Sequence, residues 1–233
     1  MKNALFIFLC LCATVSANAQ RTETLLKDNW KFNGKTVSIP HDWAITGPFS
    51  REYDLQNVRI TQNNEQKASV KTGRTGGLPY VGKGEYTRTF DVAGFDSTRQ
   101  SVTLLFDGAM SEAHVSVNGK EAIFWPYGYN SFYCDVTKLM NTDGRGNLLD
   151  VKLENRAESS RWYPGAGLYR NVHLIVTNKT HIPVWGTYIT TPHVATDFAS
   201  VRIKTDVTGI DGGKLAIENH VYDPSGKEIL VKT

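Results

Sequence analysis

Residues 159–169 read SSRWYPGAGLY, and their types are those of a recognition loop. Trp162 and Tyr163 offer flat apolar faces, and Arg161 offers a planar fork of donors. Pro164, Gly165 and Gly167 keep the chain out of regular structure. Such a set can hold a ligand that has an apolar face and polar edges. It can also do plainer work, with Trp162 capping its own domain and Arg161 paired with a carboxylate such as Glu158. The stretch 76–84 (GGLPYVGKG) raises the same choice, since Tyr80 can stack on a ligand while the glycines and proline equally suit a plain connection. A third aromatic group, WPYGY at 125–129, reads as packing, either under a long connection or against a further domain that this sequence does not contain.

Other residues invite catalytic readings that their surroundings do not support. His41 and Asp42 are adjacent, but no serine or cysteine is placed to complete a triad, so Asp42 reads as a cap on backbone amides and Trp43 as buried. Cys134 lies in SFYCDV, where alternation makes it a small buried strand residue. Arg156 and Arg170 read as structural ion-pair partners. No Cys/His cluster has zinc spacing and no acidic loop has calcium spacing, so the sequence calls for no metal and no cofactor. Asn178-Lys179-Thr180 fits the short N-glycosylation pattern.

The elements that position these residues are strands. Val102, Leu104 and Phe106 alternate onto one face, as do Val115 and Val117, Leu149, Val151 and Leu153, and Val172, Leu174 and Val176. Tyr86, Phe90 and Val92 form a further set, and Asn118-Gly119 marks a tight hairpin. A single short helical turn is expected at 136–140. Short strands at this spacing predict an all-β sandwich or jelly roll.

The chain divides into three parts. Ala4 to Cys12 is a short apolar run after Lys2, and Ala17-Asn18-Ala19 fits a signal-peptidase site, so 1–19 is expected to be a signal peptide with cleavage near Ala19-Gln20 and export of the remainder. Residues 20–181 form the jelly-roll domain. A boundary falls at His181-Ile182-Pro183, after which VWGTYIT, ASVRIKTDV, KLAIENHVYD and KEILVKT read as strands of a sandwich over 182–233. An immunoglobulin-type sandwich takes about 7 strands and about 100 residues, so this second domain is expected to be incomplete and the chain to be the front of a longer polypeptide. The net charge of +3 is too small and dispersed to predict nucleic acid or a membrane as partner.

Six blocks carry a family resemblance: VSIPHDWAI (37–45), TGGLPYVGKGEYTRTFDV (75–92), LLFDGAMSEAHVSVNGK (104–120), PYGYNSFYCDVT (126–137), LLDVKLENR (148–156) and SSRWYPGAGLYRNVHL (159–174). Together they resemble the amino-terminal sugar-binding domain of glycoside hydrolase family 2, which includes β-galactosidases, β-glucuronidases and β-mannosidases. The TGGLP and SSRWYPGAG blocks look most like the β-galactosidase members. The resemblance implies a jelly roll, an immunoglobulin-like sandwich and then a TIM barrel carrying two catalytic glutamates, with the jelly roll lending loops to the sugar pocket.

On that basis Ser160, Arg161, Trp162 and Tyr80 are the candidate substrate-binding residues, β-linked sugars and the barrel are the expected partners, and a homo-oligomer is possible. Members often have an acidic residue just before the Arg-Trp pair, whereas Ser159 and Ser160 stand there in this chain. The family's acid/base glutamate follows an asparagine; Glu154-Asn155 and Glu218-Asn219 have the reverse order, and neither reads as catalytic. A free-standing, lectin-like binding module, a truncated remnant, or a β-glucuronidase or β-mannosidase type member remain the alternatives.

Overall fold

The computed structural model describes residues 21–53, 58–62, 65–69, 79–80, 82–156, 165–210 and 212–233. In chain order the strands are β1 (Arg21–Leu25), β2 (Trp30–Phe32), β3 (Lys35–Val37), β4 (Val58–Gln62), β5 (Glu65–Ser69), β6 (Lys83–Phe90), β7 (Gln100–Phe106) and β8 (Ala113–Val117). They continue with β9 (Lys120–Trp125), β10 (Phe132–Asp135), β11 (Asn147–Glu154), β12 (Val172–Asn178), β13 (Thr187–Val194), β14 (Ala199–Thr205), β15 (Asn219–Tyr222) and β16 (Glu228–Lys232). Single 3-10 turns at Arg51–Tyr53 and Thr137–Leu139 are the helical elements described. The all-β architecture follows from the alternation, which favours pleated surfaces with one face in the core.

Two antiparallel sheets make the sandwich. One has the order β1-β12-β7-β10 and the other β3-β2-β6-β11-β8-β9. Their facing residues are the alternating sets read from the sequence. Val102, Leu104 and Phe106 of β7, with Val172 and Leu174 beside them on β12, face Val115, Val117, Leu149 and Val151 across the interior. Rings fill the widest part: Phe106 stacks on Phe132 with centroids 4.8 Å apart, and Trp125 stacks on Phe132 at 5.5 Å. Trp30 is fully buried and donates its indole N–H to the Leu26 carbonyl at 2.7 Å. Cys134 lies in this core on β10, and burial pushes its thiol up to about 12.

The buried polar side chain of Asn147 is paired through both ends of its amide. It donates to the Gly144 carbonyl at 2.8 Å and accepts from the Asn141 backbone at 2.7 Å and from the Asn118 side chain at 3.0 Å. Asn118 and Gly119 hold φ of 53° and 75°, the left-handed pair a two-residue hairpin between β8 and β9 requires.

After His181 the chain makes two hairpins, β13–β14 and β15–β16. Tyr188, Val194, Val201, Ile229 and Leu230 are exposed there, although residues of these types fill the core of the sandwich. The strand expected over 214–223 is corrected to Asn219–Tyr222, the length that its partner β16 pairs. A strand needs a neighbour for its backbone groups, and among the described residues Lys214 to Glu218 have none in the ladder.

Candidate functional site

The turn after Pro40 builds one end of the sandwich. Asp42 Oδ1 accepts from the backbone N–H of Ala44 at 2.9 Å and of Ala166 at 3.0 Å. It therefore caps its own turn and ties it to the segment leaving the 159–165 loop. His41 and Asp42 thus act in turn fixing. His41 Nδ1 lies 2.6 Å from the Tyr86 hydroxyl, and burial lowers its pKa against the opposing pull of Asp42. Burial likewise drives the Tyr86 phenol upward.

Trp43 is 2% exposed and stacks on Phe32 at 5.2 Å. Its benzo edge presses on β6 where Gly84 stands, and a Cβ there would meet Trp43 Cζ3 at 2.6 Å and Phe32 Cε2 at 2.7 Å. Glycine at 84 is thus a packing requirement. It lets the indole sit flat against the sheet and leaves its remaining surface to line a cleft.

That cleft has a volume of about 330 Å³, and Phe32, Asn33, Trp43, Gly47, Pro48, Tyr53 and Tyr80 line it. Tyr80 is held by its backbone N–H, which donates to the Pro48 carbonyl at 3.1 Å, and by an edge-on contact with Tyr53 at 5.4 Å. No charged side chain is among these described lining residues. Of the four candidate binding residues, the structure therefore places Tyr80 in an aromatic cleft, while Ser160, Arg161 and Trp162 lie outside the described residues, as do Glu158 and the 1–19 segment.

The residues flanking the 157–164 stretch are described, and they converge on Asn155. This side chain is 2% exposed. Its backbone N–H donates to the Gly82 carbonyl at 2.7 Å, and its side-chain Nδ2 donates to the Gly165 carbonyl at 2.7 Å. One residue, just past the end of β11, thus fastens both Gly82, beyond Tyr80, and Gly165, which follows the 157–164 stretch. The sequence reading missed this clamp because it weighed Asn155 only as the neighbour of Glu154. It also missed Phe32, Pro48 and Tyr53 as cleft walls. The Asn33-Gly34 turn and the Gly47-Pro48 pair were the signals available.

Two further groups bear on chemistry. Arg156 pairs with Glu112 at 2.8 Å, as a structural partner should, whereas Arg170 takes the Asp107 carbonyl at 3.4 Å and lies 5.3 Å over the Tyr169 ring. On the outer face of β6 and β11, Asp150 is pushed up to about 6 by burial first, then by its hydrogen bond to Glu85 and that neighbour's charge, with Lys152 opposing. The two carboxyls are hydrogen-bonding neighbours on this face. A retaining glycoside cleavage needs its two carboxyls about 5–5.5 Å apart to admit a sugar carbon between them. In the 125–129 group, Trp125 is half-buried on the core, as packing under the connection expects, whereas Tyr127 and Tyr129 are 57% and 51% exposed.

No family model matches the chain. Among curated proteins it is similar to beta-galactosidase BoGH2A of Bacteroides ovatus, at 32% identity over 198 residues, covering 84% of this chain and 21% of that protein. It is also similar to a putative beta-glucuronidase of Formosa agariphila, at 28% identity over 221 residues, covering 87% of this chain and 19% of that protein. Among solved structures, a beta-glycosidase from Bacteroides vulgatus superposes with a TM-score of 0.74 at 23% identity, over 90% of this chain and 27% of that one. The chain thus spans about a fifth of the length of the curated relatives it matches.

Proposed function

Because the chain belongs to glycoside hydrolase family 2, where it corresponds to the amino-terminal region of β-galactosidases and β-glucuronidases, we propose that it is a carbohydrate-binding, non-catalytic part of an exported β-galactosidase-type enzyme. The observation that carries this reading is the cleft at Tyr80, coupled through Asn155 to the Arg-Trp loop. A pyranose presents an apolar C–H face that stacks on an aromatic ring, and its hydroxyls take hydrogen bonds from groups at the rim. Tyr80 supplies the platform. Ser160, Arg161 and Trp162 are assigned to the rim by the family resemblance, with Arg161 as the fork donor.

The higher identity to a beta-galactosidase, 32% against 28% for a putative beta-glucuronidase, favours a galactoside at this cleft. Hydrolysis itself belongs to a TIM barrel of about 250 residues carrying the glutamate pair. The sandwich shapes the pocket from outside, and the exposed strands β13 to β16 belong to an immunoglobulin-like domain that further strands complete. Export follows from the leader pattern at 1–19.

Calorimetry with lactose and with a β-glucuronide tests the reading. Saturable heat with lactose, weakened about tenfold in Tyr80→Ala and in Trp162→Ala, is the expected result. Equal affinity for the glucuronide, or lactose binding that neither substitution changes, overturns it. Amino-terminal sequencing of the secreted protein, expected to start at Gln20, tests export.

A further inference from the structure

The loop that carries Tyr127 and Tyr129 is pinned from several sides, yet it holds both rings in solvent. The Tyr169 hydroxyl donates to the Gly128 carbonyl at 2.7 Å, and the Glu112 backbone N–H donates to the Pro126 carbonyl at 3.2 Å. Trp125 Nε1 donates to Asn130 Oδ1 at 3.1 Å, and the Ser131 hydroxyl donates to the Asp107 carbonyl at 3.1 Å. Gly128 lies so close to Met110 that any Cβ would collide with its sulfur, which fixes the backbone between the two tyrosines. A chain held this firmly has already lost the freedom that ligand binding would otherwise remove.

What the loop presents is chemically uniform. Tyr127 and Tyr129 lie with centroids 5.6 Å apart at 58°, so their faces form an open angle rather than a closed stack. Tyr169 lies close enough to feel both phenols, and the exposed Arg170 guanidinium sits 5.3 Å over its ring. Between Phe124 and Ser131 the sequence has no aliphatic side chain. Aromatic faces rimmed by hydroxyls and one guanidinium match the alternating C–H and O–H surface of a sugar chain.

We propose that Tyr127, Tyr129, Tyr169 and Arg170 form a second glycan-binding platform, whose ligand is an oligosaccharide laid with its pyranose C–H faces on Tyr127 and Tyr129. The platform shares no residue with the Tyr80 cleft, so it stands whether or not that cleft binds sugar. Arg170, at its margin, has a donor fork that suits a carboxylate, so an acidic glycan gains a contact there that a neutral one lacks.

The test uses calorimetry of the full chain with a galacto-oligosaccharide and with an oligogalacturonide. The expected result is binding that falls about tenfold or more in the Tyr127→Ala/Tyr129→Ala double variant and stays within about threefold in the Tyr127→Phe/Tyr129→Phe variant. Tyr80→Ala leaves this component in place, and Arg170→Ala weakens the oligogalacturonide more than the neutral probe. Thermal melts check that each variant folds. Absence of binding to both probes overturns the proposal, as does a double alanine variant that binds like its parent. A parent that sediments as a dimer, with the double alanine variant a monomer, overturns it in favour of a protein interface.

Discussion

The sandwich and the pair of hairpins after it use the same sequence pattern with opposite results. In β7, Val102, Leu104 and Phe106 share one face and are fully buried; in β14, Val201 alternates with Ser200 and Arg202 yet is exposed, and in β16 the run Ile229, Leu230 and Val231 is exposed throughout. Alternation specifies a strand with one apolar face, but a second layer is what turns that face into a core. The first region has its second layer within the described residues. In the second region no such layer is described.

Four measurements sharpen or break that contrast. Phe106→Ala, which empties the ring stack on Phe132, is expected to destabilise the sandwich by about 3–5 kcal/mol in urea denaturation; a loss under 1 kcal/mol would mean the core is loosely packed. Asn155→Ala leaves the Gly165 carbonyl without its donor and is expected to cost about 1–3 kcal/mol. Its hydrogen exchange should quicken near Gly82 and Gly165 while β7 and β12 stay protected.

Asp150→Asn tests the raised Asp150 carboxyl beside Glu85. The folded pKa lies above the usual carboxylate value, so the native state binds more protons than the unfolded state between about pH 4 and 6. Stability is therefore lost as pH rises through that window. The amide variant is expected to flatten this loss and to melt higher at pH 7, by about 1 kcal/mol after solvent screening. Leu230→Ala in β16 is expected to change stability by no more than about 0.5 kcal/mol. A cost of 2 kcal/mol or more would show that the face is covered in solution and would erase the contrast.

The strands of the sandwich were legible because each buried face is a run of alternating apolar residues within one segment, as in Leu149, Val151 and Leu153. Asp42 as a backbone cap and Trp43 as a buried ring were legible for a similar reason, since a short polar residue beside a proline has few local uses. The β2–β3 hairpin was not, because three-residue strands give periodicity too little length to show itself. The Tyr80 cleft was hidden for a different reason. Its walls come from Phe32, Trp43, Pro48, Tyr53 and Tyr80, which only the folded register brings together. Asn155 was overlooked because a buried amide that joins two loops looks, in sequence, like any asparagine at a strand end.

Cys134 has a practical use that follows from its place on β10. A thiol held at about 12 inside a packed core is almost entirely protonated at neutral pH, and a protonated thiol is a poor nucleophile. Its labelling by a disulfide reagent can proceed only as often as β10 leaves β7. With Cys10 and Cys12 replaced by serine, the labelling rate becomes a clock for the opening of the sandwich edge, read from a residue already in the chain.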